Sequence, residues 1–324
     1  MPGILAKPAR RPLTGTHNAP TCAARPRWRS ARRVAHAIDQ VRSGVVASKA
    51  CLDPVNQRAW RQRIVQTAAV TSGPPAASDF YTGLVAELYR YLRAETFDPE
   101  PYARFVERSG QPALELGCGD GDPLLDLRAR GLEVEGLDSS LDMLERCRAA
   151  ASDRGIDVTL HHATFEGMKL DRRFGSIYFA GATFNLLPDD ETAQAALGRM
   201  AEHLRPGGSA LVPLFVPVSP AESDVGQIRE HVTDDGVVMR LTVVAIVRDE
   251  ATRVQTTALR YERLHGTDHE VVDRSWKLHW FEQDRFAAMA ADAGLVTRSV
   301  HQADGSPATT HDTAFTFILG RPEA

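Results

Sequence analysis

Hydrophobic positions along this chain recur in two rhythms, and the switches between them mark out its elements. From Phe80 to Leu92, Leu84, Leu88, Tyr91 and Leu92 fall at helical spacing. Pro101 to Ser109 predicts a second helix. Ala113 to Leu116 is a short apolar strand that runs into the turn Gly117-Cys-Gly-Asp-Gly121. A helix opens near Asp122-Pro123, where a proline in the first turn lacks only an N–H that would have no intrahelical partner. The apolar run Leu132 to Leu137 forms a second strand and ends in Asp138. Ser139 is then the expected N-cap of a helix, with Ser140 as the alternative, and Met143, Leu144 and Cys147 face inward. Val158 to His161 and Ser176 to Ala180 are the third and fourth strands. A helix from Asp189 carries Ala193, Ala196, Leu197, Met200 and Leu204 on one face and stops at Arg205-Pro-Gly-Gly208. Strand five runs from Ser209 to about Phe215.

This alternation of strand and helix predicts an α/β fold around a parallel sheet. The rhythm then changes to period two. Val237 to Val247, Arg253 to Leu264 and His269 to Phe281 alternate apolar and polar residues, joined by Asp249-Glu-Ala-Thr and His265-Gly-Thr-Asp. Within residues 219–281 they predict an antiparallel three-stranded insertion after strand five. Glu282 to Ala293 is a helix closed by Gly294, and Leu295 to His301 and Ala314 to Leu319 supply the last two strands.

Charge divides the chain. Residues 1–75 contain 11 Arg and 2 Lys against only Asp39 and Asp53, an excess of +11, so the remainder carries −15 to reach the net −4. A basic extension therefore precedes an acidic globular domain, 76–324. The extension is poor in aromatics and has no Glu, and reads as disordered apart from one candidate helix, Asn56 to Val70. Three readings of it compete: a transit peptide, a nucleic-acid contact, or an upstream segment with no folded role. The acidic globule argues against nucleic acid as a partner, because phosphate binding needs Lys and Arg. No 18-residue apolar span is present, so no membrane crossing is expected. Cys22, Cys51, Cys118 and Cys147 include no C-x-x-C pair and no Cys/His spacing suited to zinc. That predicts a reducing, cytoplasmic setting with no disulfide and no metal. Cys118 reads as a small residue tolerated at a crowded turn rather than as a nucleophile.

The chemistry centres on the glycine turn. Strand, glycine turn, helix, strand and acid is the order used to place a nucleotide at the end of a sheet, with the acid accepting both ribose hydroxyls. Here the turn is G-x-G-x-G, and Asp122 stands where a dinucleotide fold needs its last glycine. Acids at 120 and 122 would repel a pyrophosphate and suit a ligand that carries positive charge.

Glu115-Leu-Gly-Cys-Gly-Asp-Gly121, followed by Gly136-Leu-Asp-Ser-Ser-Leu-Asp-Met-Leu144, resembles motifs I and II of class I S-adenosylmethionine-dependent methyltransferases. The Leu204-Arg-Pro-Gly-Gly208 ending before strand five is another shared trait. The resemblance spans roughly residues 78–322. It implies a Rossmann-like seven-stranded sheet in the order 3-2-1-4-5-7-6, strand seven antiparallel, with the insertion roofing the substrate pocket. It implies S-adenosyl-L-methionine as cofactor, with Gly117 and Gly119 contacting the methionine moiety and Asp138 taking the ribose. Glu115, Cys118, Ser139, Thr164, Phe165 and Ala180 complete the expected cofactor-binding set. Two positions depart from the family. Ala163 stands where many relatives carry an acid for the adenine amine, and Phe174-Gly175 where they carry Phe-Asp.

Tyr81, Asn185 and His279 are the candidate catalytic residues, each with a structural reading beside it. Tyr81 and Tyr89 either close over the ligand or simply pack, Asn185 either faces the site or caps the next helix, and His279 is either a base or a satisfied strand histidine. Tyr261, Arg263, Trp276 and Trp280 are further candidates to line the roof. The expected activity is methyl transfer to nitrogen or oxygen of a small molecule by a monomer or homodimer. The alternatives are an RNA or protein methyltransferase recruited by the basic extension, and a non-catalytic binding protein on the same fold.

Overall fold

The computed structural model describes residues 80–93 and 97–323. The predicted extension, its Asn56–Val70 helix and the boundary at residue 75 lie outside the described residues.

Two helices, α1 (Leu84–Leu92) and α2 (Glu100–Ser109), precede the sheet. Then follow β1 (Ala113–Leu116), α3 (Leu124–Ala129), β2 (Val134–Asp138), α4 (Leu141–Asp153), β3 (Leu160–His162) and β4 (Phe174–Phe179). A 3-10 turn, Thr183–Leu186, leads to α5 (Asp190–His203) and β5 (Leu204–Phe215). The second sheet contains β6 (Ile228–Val232), β7 (Val238–Asp249), β8 (Val254–His265) and β9 (Asp268–His279). α6 (Gln283–Asp292), β10 (Val296–His301) and β11 (Ala314–Gly320) complete the chain.

The main sheet runs β3-β2-β1-β4-β5-β11-β10. β11 is antiparallel to both its neighbours, and the other pairings between β3 and β5 are parallel. Not counting the insertion, this is the expected 3-2-1-4-5-7-6 order. β1 and β4 are buried along their whole lengths, as central parallel strands covered on both faces must be. One face packs Leu114, Leu116, Phe179 and Phe184 against α5 and α6 residues, and the other packs Tyr102, Phe105, Leu124 and Leu144. Each such side chain removed from water contributes roughly 1.5–3 kcal/mol.

Three expectations need correction. The insertion has four antiparallel strands, β6-β7-β8-β9, rather than three. Ile228-Arg-Glu-His-Val232 escaped notice because it is a short edge strand on which charged residues dilute the alternation. Ser140, not Ser139, caps α4: its hydroxyl accepts the Met143 N–H at 3.2 Å. Leu204 belongs to β5, where it pairs with Phe174, and not to the preceding helix.

The Phe174-Gly175 departure has a steric cause. A Cβ at Gly175 would lie 2.7 Å from the Gly110 carbonyl carbon and 2.8 Å from its oxygen. The Gly175 N–H donates to Pro112 O at 2.8 Å, and the Ser176 hydroxyl to Gly110 O at 2.8 Å. The chain entering β1 crosses β4 at this point, and only a bare backbone leaves it room.

Candidate active site

The chain leaves β1 through Gly117, whose φ of 73° lies in the left-handed region. The N–H groups of Gly117 and Cys118 both donate to Leu137 O, at 2.7 and 3.1 Å, which folds the turn back onto the end of β2. A Cβ at 117 would stand 2.6 Å from the Thr183 methyl and 3.4 Å from Phe165 Cζ. Conformation and packing therefore both require glycine.

Asp138 is fixed from three sides. Its Oδ2 accepts the Gly119 N–H at 2.9 Å, its Oδ1 accepts the Ser140 N–H at 2.8 Å, and the Ser139 N–H also supports the carboxylate. A carboxylate has about four lone-pair positions, so one remains for a ligand's hydroxyl. Burial pushes the Asp138 pKa up, opposed by these N–H groups and by His162.

Neighbouring acids are strained in the same direction. Glu115 is fully buried at the base of the turn. Burial pushes its pKa up to about 8, although Tyr178 donates a hydrogen bond to Oε2 at 2.6 Å. Its Oε1 is buried with no hydrogen-bond partner. Asp122 is also raised, chiefly by burial, while Arg93 reaches it at 2.9 Å and Asp120 at 3.5 Å. Four carboxylates thus crowd one turn, and burial disfavours negative charge there, so a bound cation would relieve the strain.

α1 lies across this turn. The Ser140 hydroxyl donates to Tyr81 O at 2.5 Å, and the Gly83 N–H donates to Asp142 Oδ2 at 2.5 Å, so the helix entry is held on the start of α4. The rings of Tyr81 and Tyr89 meet edge to face at 5.5 Å, and those of Phe80 and Tyr81 at 4.8 Å. Burial raises the Tyr81 phenol well above its usual value, with Tyr89, Tyr261 and Asp138 adding to the effect, and it raises Tyr89 to about 12. Tyr81 thereby bridges the Asp138 side of the site and the second sheet.

The other candidates divide. Gly117, Phe165 and Thr183 converge, and the Thr183 hydroxyl donates to Ala180 O at 3.2 Å. The Thr164 hydroxyl is engaged by the Gly167 N–H at 3.2 Å. Ser139 O faces His162 Nε2 at 3.0 Å. Cys118 and Cys147 are buried free thiols, both pushed up by burial, and thus poor nucleophiles. Among the described residues no cluster of His, Cys, Asp and Glu is suited to a metal ion.

Asn185 and His279 come together between β5 and β9. The Asn185 amide donates to Phe215 O at 3.1 Å and His279 O at 2.8 Å, and its Oδ1 accepts the Phe215 N–H at 3.2 Å. Fully buried and saturated by main chain, it clamps β5 to β9. His279 is 2% exposed, with Nε2 facing Arg253 at 3.2 Å and Asp190 at 3.4 Å. Burial lowers its pKa. Sequence reasoning missed Thr183, Ser140, Asp142 and Arg93. Only the placement of Ser140 as an alternative cap pointed toward one of them.

A bare, left-handed backbone turn, a pinned acid with spare acceptor capacity and an orphaned buried carboxyl oxygen together suit an adenosine-bearing cation. Residues 113–208 match the family described as Methyltransferase domain. Over these residues the chain carries the methyltransferase domain of the S-adenosylmethionine-dependent enzymes. It is 28% identical over 251 residues to a dTDP-3-amino-3,6-dideoxy-alpha-D-glucopyranose N,N-dimethyltransferase of Streptomyces fradiae, covering 74% of this chain and 92% of the relative. It is 36% identical over 106 residues to the cypemycin N-terminal methyltransferase of a Streptomyces species, covering 32% and 41% respectively. Among solved structures, the CcbJ methyltransferase of Streptomyces caelestis superposes with a TM-score of 0.61 at 19% identity, covering 77% of this chain and 98% of that one. The sugar N-methyltransferase KedS8 of a Streptoalloteichus species gives 0.59 at 22% identity, covering 78% and 99%. At these identities the two structures speak for the fold. Among the described residues of this methyltransferase, no helix is long and apolar enough to cross a membrane.

Proposed function

We propose that residues 76–324 form a cytoplasmic enzyme domain that methylates an amino nitrogen of a small molecule, an amino sugar being the class named among its relatives. The observation that carries this reading is the acid-rich glycine turn with its pinned Asp138, covered by the aromatic entry to α1. S-adenosylmethionine supplies, when bound, a methyl group made electrophilic by a sulfonium. Gly117 and Gly119 would present bare backbone to its methionine part, and Asp138 would accept a ribose hydroxyl with its remaining lone pair. Phe165 and Thr183 would wall the adenosine side, with Thr164 and Ala180 at its edge. Glu115, Asp120 and Asp122 favour the ligand's positive charges. Glu115 does so most once the cation draws its proton away.

Nitrogen is favoured over oxygen by the state of the candidate bases. The Tyr81 phenol is raised, Asn185 is spent on main chain, and His279 Nε2 is occupied by Arg253 and Asp190. A hydroxyl acceptor needs a base; a neutral amine attacks directly and loses its proton afterwards. Tyr81 and Tyr89 then act by excluding water and orienting the amine.

The test is an incubation of the full chain with S-adenosylmethionine and the amino sugar nucleotide of the Streptomyces fradiae relative, beside the same sugar with hydroxyl in place of amine. Mass spectrometry should show one or two methyl additions on the amine and none on the hydroxyl compound. Methylation of the hydroxyl compound alone would refute the reading.

A further inference from the structure

The amino end of β4 carries a cationic groove that the glycine turn does not use. β1 and β4 run parallel, with Ala113 opposite Ser176 and Leu116 opposite Phe179. The glycine turn follows the end of β1, so the chain entering β4 at Arg172 and Arg173 lies at the opposite end of the sheet. There the loop before β4 and the last turn of α5 enclose a groove of about 530 Å³, walled by Lys169, Asp171, Arg172, Arg173, Arg199 and Glu202. Four cations against two acids leave +2 locally, in a domain that carries −15 over residues 76–324.

The loop is tied to the helix from below. The Leu170 N–H donates to His203 Nε2 at 2.9 Å, and His203 Nδ1 donates to Arg199 O at 2.8 Å, so both ring nitrogens of this buried histidine are engaged. Carbonyls at a helix C-terminus disfavour an anion, but here they are covered. Arg321 Nη1 donates to Ala201 O at 2.7 Å, Glu202 O at 3.1 Å and Leu204 O at 2.7 Å.

The four cations of the groove have different duties. Arg172 donates to Glu133 and Glu135 and lies over the Phe174 ring at 5.6 Å. Arg199 donates to Glu202 at 2.7 Å and to Glu166 O at 3.4 Å. Each guanidinium spends two of its five N–H groups in this way and keeps the rest on a fork already fixed in place. Lys169 and Arg173 are exposed and pair with no carboxylate among the described residues. A second groove, beyond the ends of α3 and α4, contains Arg128 and Arg154. There Arg128 is spent on Asp157 O and Leu132 O, and Arg154 on Asp126. The cations of that groove complete the fold, whereas Lys169 and Arg173 exceed what the fold uses.

We propose that the groove at the amino end of β4 binds a small phosphate-type oxyanion, gripped by Lys169 and Arg173 and oriented by the fixed forks of Arg172 and Arg199. The site is separate from the cofactor and from the methyl acceptor, and it stands independently of the function proposed above. Cations approaching from several walls suit a tetrahedral group, with acceptor oxygens on every side, better than a planar carboxylate.

The test is site-resolved. The full chain is labelled with phenylglyoxal and mapped by peptide, alone and with inorganic pyrophosphate, inorganic phosphate, acetate or a short single-stranded oligonucleotide, all at one ionic strength. Pyrophosphate or phosphate should protect Arg173 saturably and leave the exposed Arg108 reactive. Lys169→Gln, which changes an exposed side chain outside the fold's own pairs, should raise the half-protecting concentration roughly tenfold through loss of a charge-assisted contact. Its circular dichroism and its affinity for S-adenosylhomocysteine should match wild type. No protection of Arg173, protection by acetate at a lower concentration than by pyrophosphate, or half-protection unchanged in Lys169→Gln would overturn the proposal. Protection by the oligonucleotide at a lower concentration than by pyrophosphate would overturn the assignment to a small ligand. Protection should persist at saturating S-adenosylhomocysteine; its loss there would overturn the independence of the two sites.

Discussion

Two layers face α1 from opposite sides, and their charges are arranged in opposite ways. Beneath it, Glu115, Asp120, Asp122 and Asp138 gather at the glycine turn, and burial raises Glu115, Asp122 and Asp138. Above it, the second sheet offers Arg229 and Arg274 among aromatic rings, without acids of their own. In the first layer Arg93 answers only Asp120 and Asp122, and in the second no carboxylate among the described residues pairs with Arg229 or Arg274. A cationic cofactor would satisfy the first layer. The lesson is that the unsatisfied groups of a fold outline its ligands as clearly as its satisfied groups outline its core.

The largest stability effect should come from a residue that belongs to neither layer but ties them together. Asn185→Ala leaves two buried carbonyls and one buried N–H without partners. It should cost roughly 3 kcal/mol or more in chemical denaturation, at about 1–3 kcal/mol per orphaned group. A loss under about 1 kcal/mol would show that the β5–β9 clamp is not what holds roof to floor. Next in size, Gly117→Ala places a methyl against Thr183 at a positive φ. A cost of about 1–3 kcal/mol is expected in the same assay, together with weakened cofactor binding. Unchanged stability and affinity would show that Thr183 yields freely.

The contrast between layers was only half legible in the sequence. The floor was readable because its chemistry is local. Gly117, Gly119 and Asp138 sit within one strand-turn-helix-strand unit, and the apolar runs defined β1, β2 and β4 closely. The second sheet could be read as strands but not as a site. Arg229, Tyr261 and Arg274 are far apart in the chain and share a face only through pairing register, with β6 itself overlooked. Asn185 and Gly175 were hidden for a related reason. The partners that explain them, His279 and Gly110, come from elements 94 and 65 residues away along the chain. Ser139 and Ser140 could not be told apart by sequence, since both are good caps and only the chain path selects one.

A finer test concerns protons. Glu115 has a folded pKa of about 8 against an ordinary value of 4.5. The folded state therefore binds the proton more tightly than the unfolded state. The associated stability is complete below about pH 4.5 and is lost as pH rises toward 8 and beyond. Thermal denaturation from pH 5 to 8 should show a stability that falls with pH in the wild type. Glu115→Gln should flatten that fall, leaving the smaller part due to Asp122 and Asp138. Identical slopes would mean that Glu115 is not the group held neutral. The smallest effect is expected at Arg263→Ala, which removes exposed pairs with Glu87 and Glu270. Its stability should change by no more than about 0.5–1 kcal/mol, which separates the surface ion pairs of the second sheet from its two unpaired arginines.

The glycine turn and Asp138 are proposed to hold an adenosine-bearing cofactor. The direct measurement is calorimetric titration of S-adenosylmethionine and S-adenosylhomocysteine into the full chain and into Asp138→Ala, with circular dichroism to confirm that both are folded. Saturable binding by the wild type is predicted, weakened by roughly 10- to 100-fold in the variant as a charge-assisted hydrogen bond is lost. A folded wild type that binds neither compound, or a variant that binds both as tightly, would contradict it.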